Sequence, residues 1–131
     1  MIGLDTNILI RYFVKGDPQQ SPIVGKLIGA LSSVEPGWLS VVVLVELLWT
    51  LKYSYRFSRA GLAGAVGHLL SSRDIVIEQH DLVRDALNMY RKSNADFADC
   101  LIAVSARAAG CSKTVTFDKI AARDAGMELL A

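Results

Sequence analysis

Cysteine and histidine are scarce: the 131 residues hold two of each. Cys100 and Cys111 stand eleven positions apart, and with only His68 and His80 to add, no closed zinc set can be written. Both cysteines therefore read as buried small hydrophobes. No Gly-x-Ser-x-Gly elbow occurs, and two histidines near predicted helix ends are weak support for a catalytic serine. A phosphate-cradling P-loop pattern is absent as well. Long apolar runs are also missing. The longest, Trp38 to Leu51, is broken by Ser40, Glu46 and Thr50, and it stays short of the ~20 residues that cross a bilayer. Met1-Ile2-Gly3-Leu4-Asp5 lacks the basic start and cleavage site of a secretory signal, so a cytoplasmic protein with no membrane association is expected. Nor does one sign of charge dominate. Fourteen Lys and Arg against thirteen Asp and Glu leave +1, which excludes the strong sequence-independent pull on polyanions that basic domains exert.

What the chain does have is apolar material for a core. Hydrophobic residues make up 52% of it, and the length suits one domain spanning residues 1–131. Ile2 to Leu4 reads as a short strand ending at Asp5, after which Thr6-Asn7 can cap a helix carrying Ile8, Leu9, Tyr12 and Phe13. Gly16-Asp17-Pro18 and Glu35-Pro36-Gly37 bracket a second helix around Ile23 to Leu31. A strand at Trp38 to Ser40 leads into helices at Val41 to Ser54 and Ser58 to Leu70. Then follow a strand at Ile75 to Ile77, a helix at Leu82 to Arg91, and a helix at Ala95 to Ala109 stopped by Gly110. Thr114 to Phe117 and Met127 to Leu130 read as strands around a helical turn at Ile120 to Arg123. This alternation predicts an α/β fold, a short central parallel sheet flanked by helices on both faces. Gly61, Gly64 and Gly67 share one helical face and suggest close helix packing or a dimer contact rather than a phosphate loop.

In open α/β sheets ligands bind beyond the carboxyl ends of the strands, so polar residues there are the first candidates for a site. Asp5 ends the first strand and Asp118 follows Thr114 to Phe117, although a strand-end Asp also serves as a turn former or helix cap. Glu46 sits in Val41-Val42-Val43-Leu44-Val45-Glu46-Leu47-Leu48-Trp49, a segment so apolar that burial on every face is expected. A buried carboxylate must be neutralised, paired or given to a metal. Asp96 and Asp99 lie three apart at the start of a helix. The helix dipole accounts for Asp96 better than for Asp99, which abuts the core-facing run from Cys100 to Val104. Carboxylates brought together repel, and a hard divalent cation, Mg²⁺ or Mn²⁺, resolves the conflict. Such sites support in-line phosphodiester hydrolysis by metal-activated water.

Four segments, Asp5-Thr6-Asn7, Val45-Glu46-Leu47-Leu48, Asp96-Phe97-Ala98-Asp99-Cys100-Leu101-Ile102-Ala103 and Thr116-Phe117-Asp118, together resemble the PIN-domain ribonucleases, most of all the VapC-type toxins of toxin–antitoxin pairs. Each motif is short, but the four in this order span essentially the whole chain. The resemblance implies an acidic centre of Asp5, Glu46, Asp99 and Asp118 with Asp96 as an additional acid, supported by Thr6, Asn7 and Thr116. It also implies Mg²⁺- or Mn²⁺-dependent cleavage of single-stranded RNA, a homodimer, and inhibition by a small cognate antitoxin. Two rivals stand beside it. A PIN-like protein-binding module without catalysis requires lost acids, and none is lost. A phosphoacceptor receiver domain usually has an acidic pair at its first strand end, where this chain has Asp5 alone, and here Ile75 to Ile77 leads into Glu78. Lys52, Arg56 and Arg59 after the Glu46 helix, and Arg11, Lys119 and Arg123 near Asp5 and Asp118 in sequence, are the cations available to hold phosphates. Trp49, Tyr53, Tyr55 and Phe57 offer an apolar patch to a partner.

Overall fold

The computed structural model describes all 131 residues and divides into two compact units, Met1–Glu78 and Gln79–Ala131. In the first, β1 (Ile2–Gly3), β2 (Gly37–Leu39) and β3 (Ile75–Ile77) form a parallel sheet in the order β1-β2-β3, with Gly37 opposite both Ile2 and Ile75. Four helices connect them: α1 (Thr6–Phe13), α2 (Gln20–Ala30), α3 (Val41–Tyr53) and α4 (Arg59–Ser71). The second unit holds α5 (His80–Arg91), α6 (Phe97–Ala108), β4 (Val115–Thr116), α7 (Lys119–Asp124) and β5 (Glu128–Leu129). There β4 and β5 run parallel, with Thr116 opposite Leu129. The parallel α/β alternation is the expected one, its strands falling into a three-stranded and a two-stranded sheet.

Polar residues at the loop ends start the helices. Asp5, rather than the expected Thr6-Asn7, caps α1, because Thr6 is already the first helical residue and its N–H donates to the Asp5 side chain. Ser58 caps α4 and Asp118 caps α7 in the same way, accepting backbone N–H bonds from the first turn. At α3, Ser40 Oγ accepts from the Val43 N–H at 3.1 Å and Glu78 Oε1 from the Val41 N–H at 2.9 Å, so two of the orphan donors at that end are satisfied. The first unit closes on Leu9, Leu39, Leu44, Leu47, Leu51, Val66 and Leu69, all sealed from solvent. In the second, α5 packs on α6, where Tyr90 meets Phe97 edge to face with ring centroids 5.9 Å apart. None of the helices is long and apolar enough to cross a membrane.

Gly37 has a packing role. A Cβ there would lie 2.8 Å from Leu4 Cδ1 and 3.0 Å from Leu31 Cδ1, and both leucines are buried. Gly37→Ala is therefore expected to destabilise the protein by about 1–3 kcal/mol through overpacking. A denaturant midpoint equal to wild type at unchanged slope would refute that.

Three further expectations are corrected. Helix α3 is not buried on every face: Leu44, Leu47, Leu48 and Leu51 point inward, while Val42, Glu46, Trp49 and Tyr53 form an exposed stripe at helical spacing. An all-apolar sequence carries no stripe to mark which face is covered. Cys100 is buried, but Cys111 follows the end of α6 in an exposed turn beside Gly110, whose φ is +95°. Of the α4 glycines, Gly61 and Gly64 do not seat a neighbouring helix of this chain. A Cβ on Gly64 would meet nothing within 4 Å, and one on Gly61 would meet only Phe57 and Ser58.

Candidate active site

Within the first unit the chemistry gathers around Thr6, a buried residue where β1 hands over to α1. Its backbone N–H donates to Asp5 Oδ1 at 2.8 Å, and its hydroxyl donates to Glu46 Oε1 at 3.0 Å. One threonine thus orients two carboxylates that are 41 positions apart in sequence and both exposed. The second oxygen of each carboxylate takes no bond from Thr6. The desolvation argument for Glu46 fails with its exposure, and the bond from Thr6 is what singles it out. Asn7 is exposed on the first turn of α1.

Within the second unit Asp99 stands in the first turn of α6, half-buried beside the sealed Cys100. Partial burial pushes its carboxyl above the usual carboxylate range, and the charges of Asp118 and then Asp96 push it further. Asp96 is the N-cap residue of α6, exposed. Asp118 is held by its own backbone geometry: Oδ1 accepts from the N–H groups of Ile120 at 2.8 Å and Ala121 at 2.9 Å, while its own N–H donates to Thr116 Oγ1 at 3.0 Å. The expected supporting role of Thr116 has this bond as its structural counterpart. These three acids form one electrostatic group.

All these carboxylates offer oxygens, the donor type that a hard divalent cation prefers, and at Asp99 burial first and then the charges of Asp118 and Asp96 disfavour the ionised form. In neither unit do three His, Cys, Asp or Glu side chains stand together as a metal-holding group. Of the cations named from sequence, Arg123 is engaged by Asp124, Nε to Oδ1 at 3.1 Å, and Lys52 lies over the Tyr53 ring at 5.1 Å. Arg56 is exposed, with a left-handed backbone at φ +56°. His68 is no bystander at a helix end: its Nε2 is 2.6 Å from the Tyr12 hydroxyl. Sequence reasoning missed a polar cavity of about 390 Å³ in the first unit, whose lining includes Asn7, Arg11, Gln20, Thr50 and Tyr55. Its faint signal is that Thr50 lies one turn after Glu46, and Arg11 one turn after Asn7.

A parallel α/β protein whose acids stand at strand ends and helix starts belongs to the class that binds ligands beyond the carboxyl ends of its strands. More particularly, the chain belongs to the PIN domain family, whose model matches residues 2–126. It is similar to a VapC ribonuclease of Aquifex aeolicus (strain VF5), with 26% identity over 117 residues that cover 88% of this chain and 86% of that protein.

Proposed function

We propose that the chain, with residues 1–131 acting as one PIN domain, is a Mg²⁺- or Mn²⁺-dependent endoribonuclease that cleaves single-stranded RNA, and the toxin of a toxin–antitoxin pair. The observation that carries this reading is the state of Asp99: a half-buried carboxyl raised by burial and by two neighbouring aspartates, in a member of the PIN domain family. An acid with a purely structural task would be given a cation or a set of N–H donors, as a helix cap is. The similarity to a VapC ribonuclease supports the choice of RNA.

In this reading Asp5, Glu46, Asp99 and Asp118 hold the metal, with Asp96 as an additional acid. Bound Mg²⁺ or Mn²⁺ would supply positive charge to the scissile phosphate and acidify water for attack. The chain's own residues set the geometry. Thr6 fixes the rotamers of Asp5 and Glu46, the first turn of α7 fixes Asp118, and Thr116 holds the backbone from which Asp118 projects. Asn7 stands beside Thr6 as a further polar support. The exposed stripe of α3, where the Trp49 and Tyr53 rings lie 5.2 Å apart, supports association with another chain, a second copy in a homodimer or a small cognate antitoxin. A cytoplasmic setting accords with an RNA substrate.

Purified protein is expected to cleave single-stranded RNA with Mn²⁺ or Mg²⁺ and to stop when EDTA is added. Cleavage that survives exhaustive chelation would end the metal mechanism. A protein that binds a partner but cleaves no RNA under any metal would be a binding module instead.

A further inference from the structure

The polar cavity of the first unit has a position, a charge and an aromatic wall that together define a ligand. We propose that it is a subsite for one nucleotide of single-stranded RNA, in which Arg11 takes a phosphate and Tyr55 stacks on the base. The identity of the polymer rests on the nuclease reading above.

The position follows from α1 packing on α3. At one point of that contact Thr6 holds Glu46. One turn further along each helix stand Ile10 and Thr50, and both line the cavity. By helix geometry it therefore opens about 5–6 Å from the Thr6–Glu46 pair, with Asn7 on its rim next to Thr6. Its volume of about 390 Å³ is that of a small-molecule site.

The charge comes from Arg11. Its Nε donates to Gln20 Oε1 at 2.8 Å and its Nη1 to the Tyr55 hydroxyl at 3.4 Å, both neutral partners. No carboxylate lies within ion-pair distance of it. Asp17 feels its charge, but the Asp17 Oδ1 is already engaged by the N–H groups of Gln19 and Gln20. A half-buried guanidinium oriented by neutral groups keeps donors for a planar or tetrahedral anion, and the phosphate of a nucleotide matches that fork geometry.

The wall is Tyr55, just past the end of α3. The chain turns sharply after it, through Arg56 at φ +56°, and the turn is closed by the Phe57 N–H donating to Leu51 O at 2.9 Å. That closure fixes the backbone from which the ring projects, and the bond from Arg11 orients its hydroxyl. A cation beside an exposed aromatic ring is the combination that binds single strands, because every base has a face to stack. The Asn7 and Gln20 amides add donors and an acceptor for a base edge, which an acidic peptide would not require.

The test is fluorescence anisotropy of a labelled, mixed-sequence single-stranded RNA in EDTA, with wild type, Arg11→Ala, Arg11→Gln, Tyr55→Ala and Tyr55→Phe. Tyr55→Ala and Arg11→Ala are each expected to raise Kd about tenfold, and Tyr55→Phe to stay within about threefold. Arg11→Ala and Arg11→Gln should also lower the slope of log Kd against log salt by about one, whereas Tyr55→Ala should leave it unchanged. Affinities of Arg11→Gln and Tyr55→Ala within twofold of wild type, or no RNA binding by wild type, would overturn the subsite. Cleavage by wild type in Mn²⁺ is measured separately. Cleavage with unmoved affinities removes the subsite and leaves the nuclease. Affinities lost as expected without any cleavage leave the subsite and remove the nuclease.

Discussion

Asp5→Asn is expected to lower the rate of RNA cleavage at least about a hundredfold while leaving the fold intact. The two halves of that expectation come from different atoms of one side chain. Oδ1 accepts the Thr6 N–H and caps α1, a task that Asn performs about as well as Asp, so the thermal midpoint should move by no more than a few degrees. The second oxygen is the one proposed to meet a cation, and an amide there brings no charge. Removing one anionic ligand gives up several kcal/mol of charge stabilisation, and each 1.4 kcal/mol is tenfold in rate. Asp5→Ala separates the two effects: it should lose cleavage to the same extent and also about 1 kcal/mol of stability with the cap. Thr6→Val serves as the positioning control. It removes the bond to Glu46 but keeps the backbone N–H to Asp5, and should cost roughly tenfold in cleavage. If Asp5→Asn cleaves within threefold of wild type, Asp5 is a helix cap and nothing more.

Asp5 and Asp118 were legible in the sequence because their positions depend on short-range rules. A strand followed by Asp and then a helical pattern identifies a helix cap at a strand end from neighbouring residues alone, and both caps are present. The order of elements was legible for the same reason, since Gly16-Asp17-Pro18, Pro36-Gly37 and Gly110 break the chain wherever they occur. Boundaries moved by a residue or two where backbone geometry decided: α5 begins at His80 because Gln79 adopts a left-handed conformation at φ +53°. The exposure of Glu46 was not legible. Which face of α3 is covered depends on where α1 and α4 pack, and valines on both faces leave no periodic trace. The cavity at Arg11 was hidden for a stronger reason. Arg11 and Tyr55 are 44 positions apart and meet only through the packing of α1 on α3, so Tyr55 reads from sequence only as part of an apolar patch.

Asp99→Asn is expected to abolish cleavage and yet, in EDTA near neutral pH, to melt at or above wild type. The Asp99 carboxyl is raised above its ordinary 3.8 by partial burial first, then by Asp118 and Asp96. A raised folded-state pKa means that the native protein holds this proton more tightly than the unfolded chain does. The group therefore costs no stability below the ordinary value, and stability is lost as pH rises from there through the raised value. Above that window the penalty persists, so at neutral pH the metal-free wild type carries it in full. Asn keeps the shape and removes both the desolvated charge and its repulsion from Asp118. The variant's midpoint should accordingly stay flat across the acidic window in which this site makes the wild type fall, a contrast visible by differential scanning calorimetry at a series of pH values. Added Mn²⁺ supplies the second arm. A cation that binds only the folded state stabilises by about 2.7 kcal/mol at a hundred times its Kd, and wild type should gain that rise while Asp99→Asn gains little of it. A carboxylate with a structural partner behaves in the opposite way, because its loss leaves that partner unsatisfied and lowers the midpoint. Should Asp99→Asn melt several degrees below wild type in EDTA, Asp99 is a structural residue, and the proposed metal set loses the acid on which it chiefly rests.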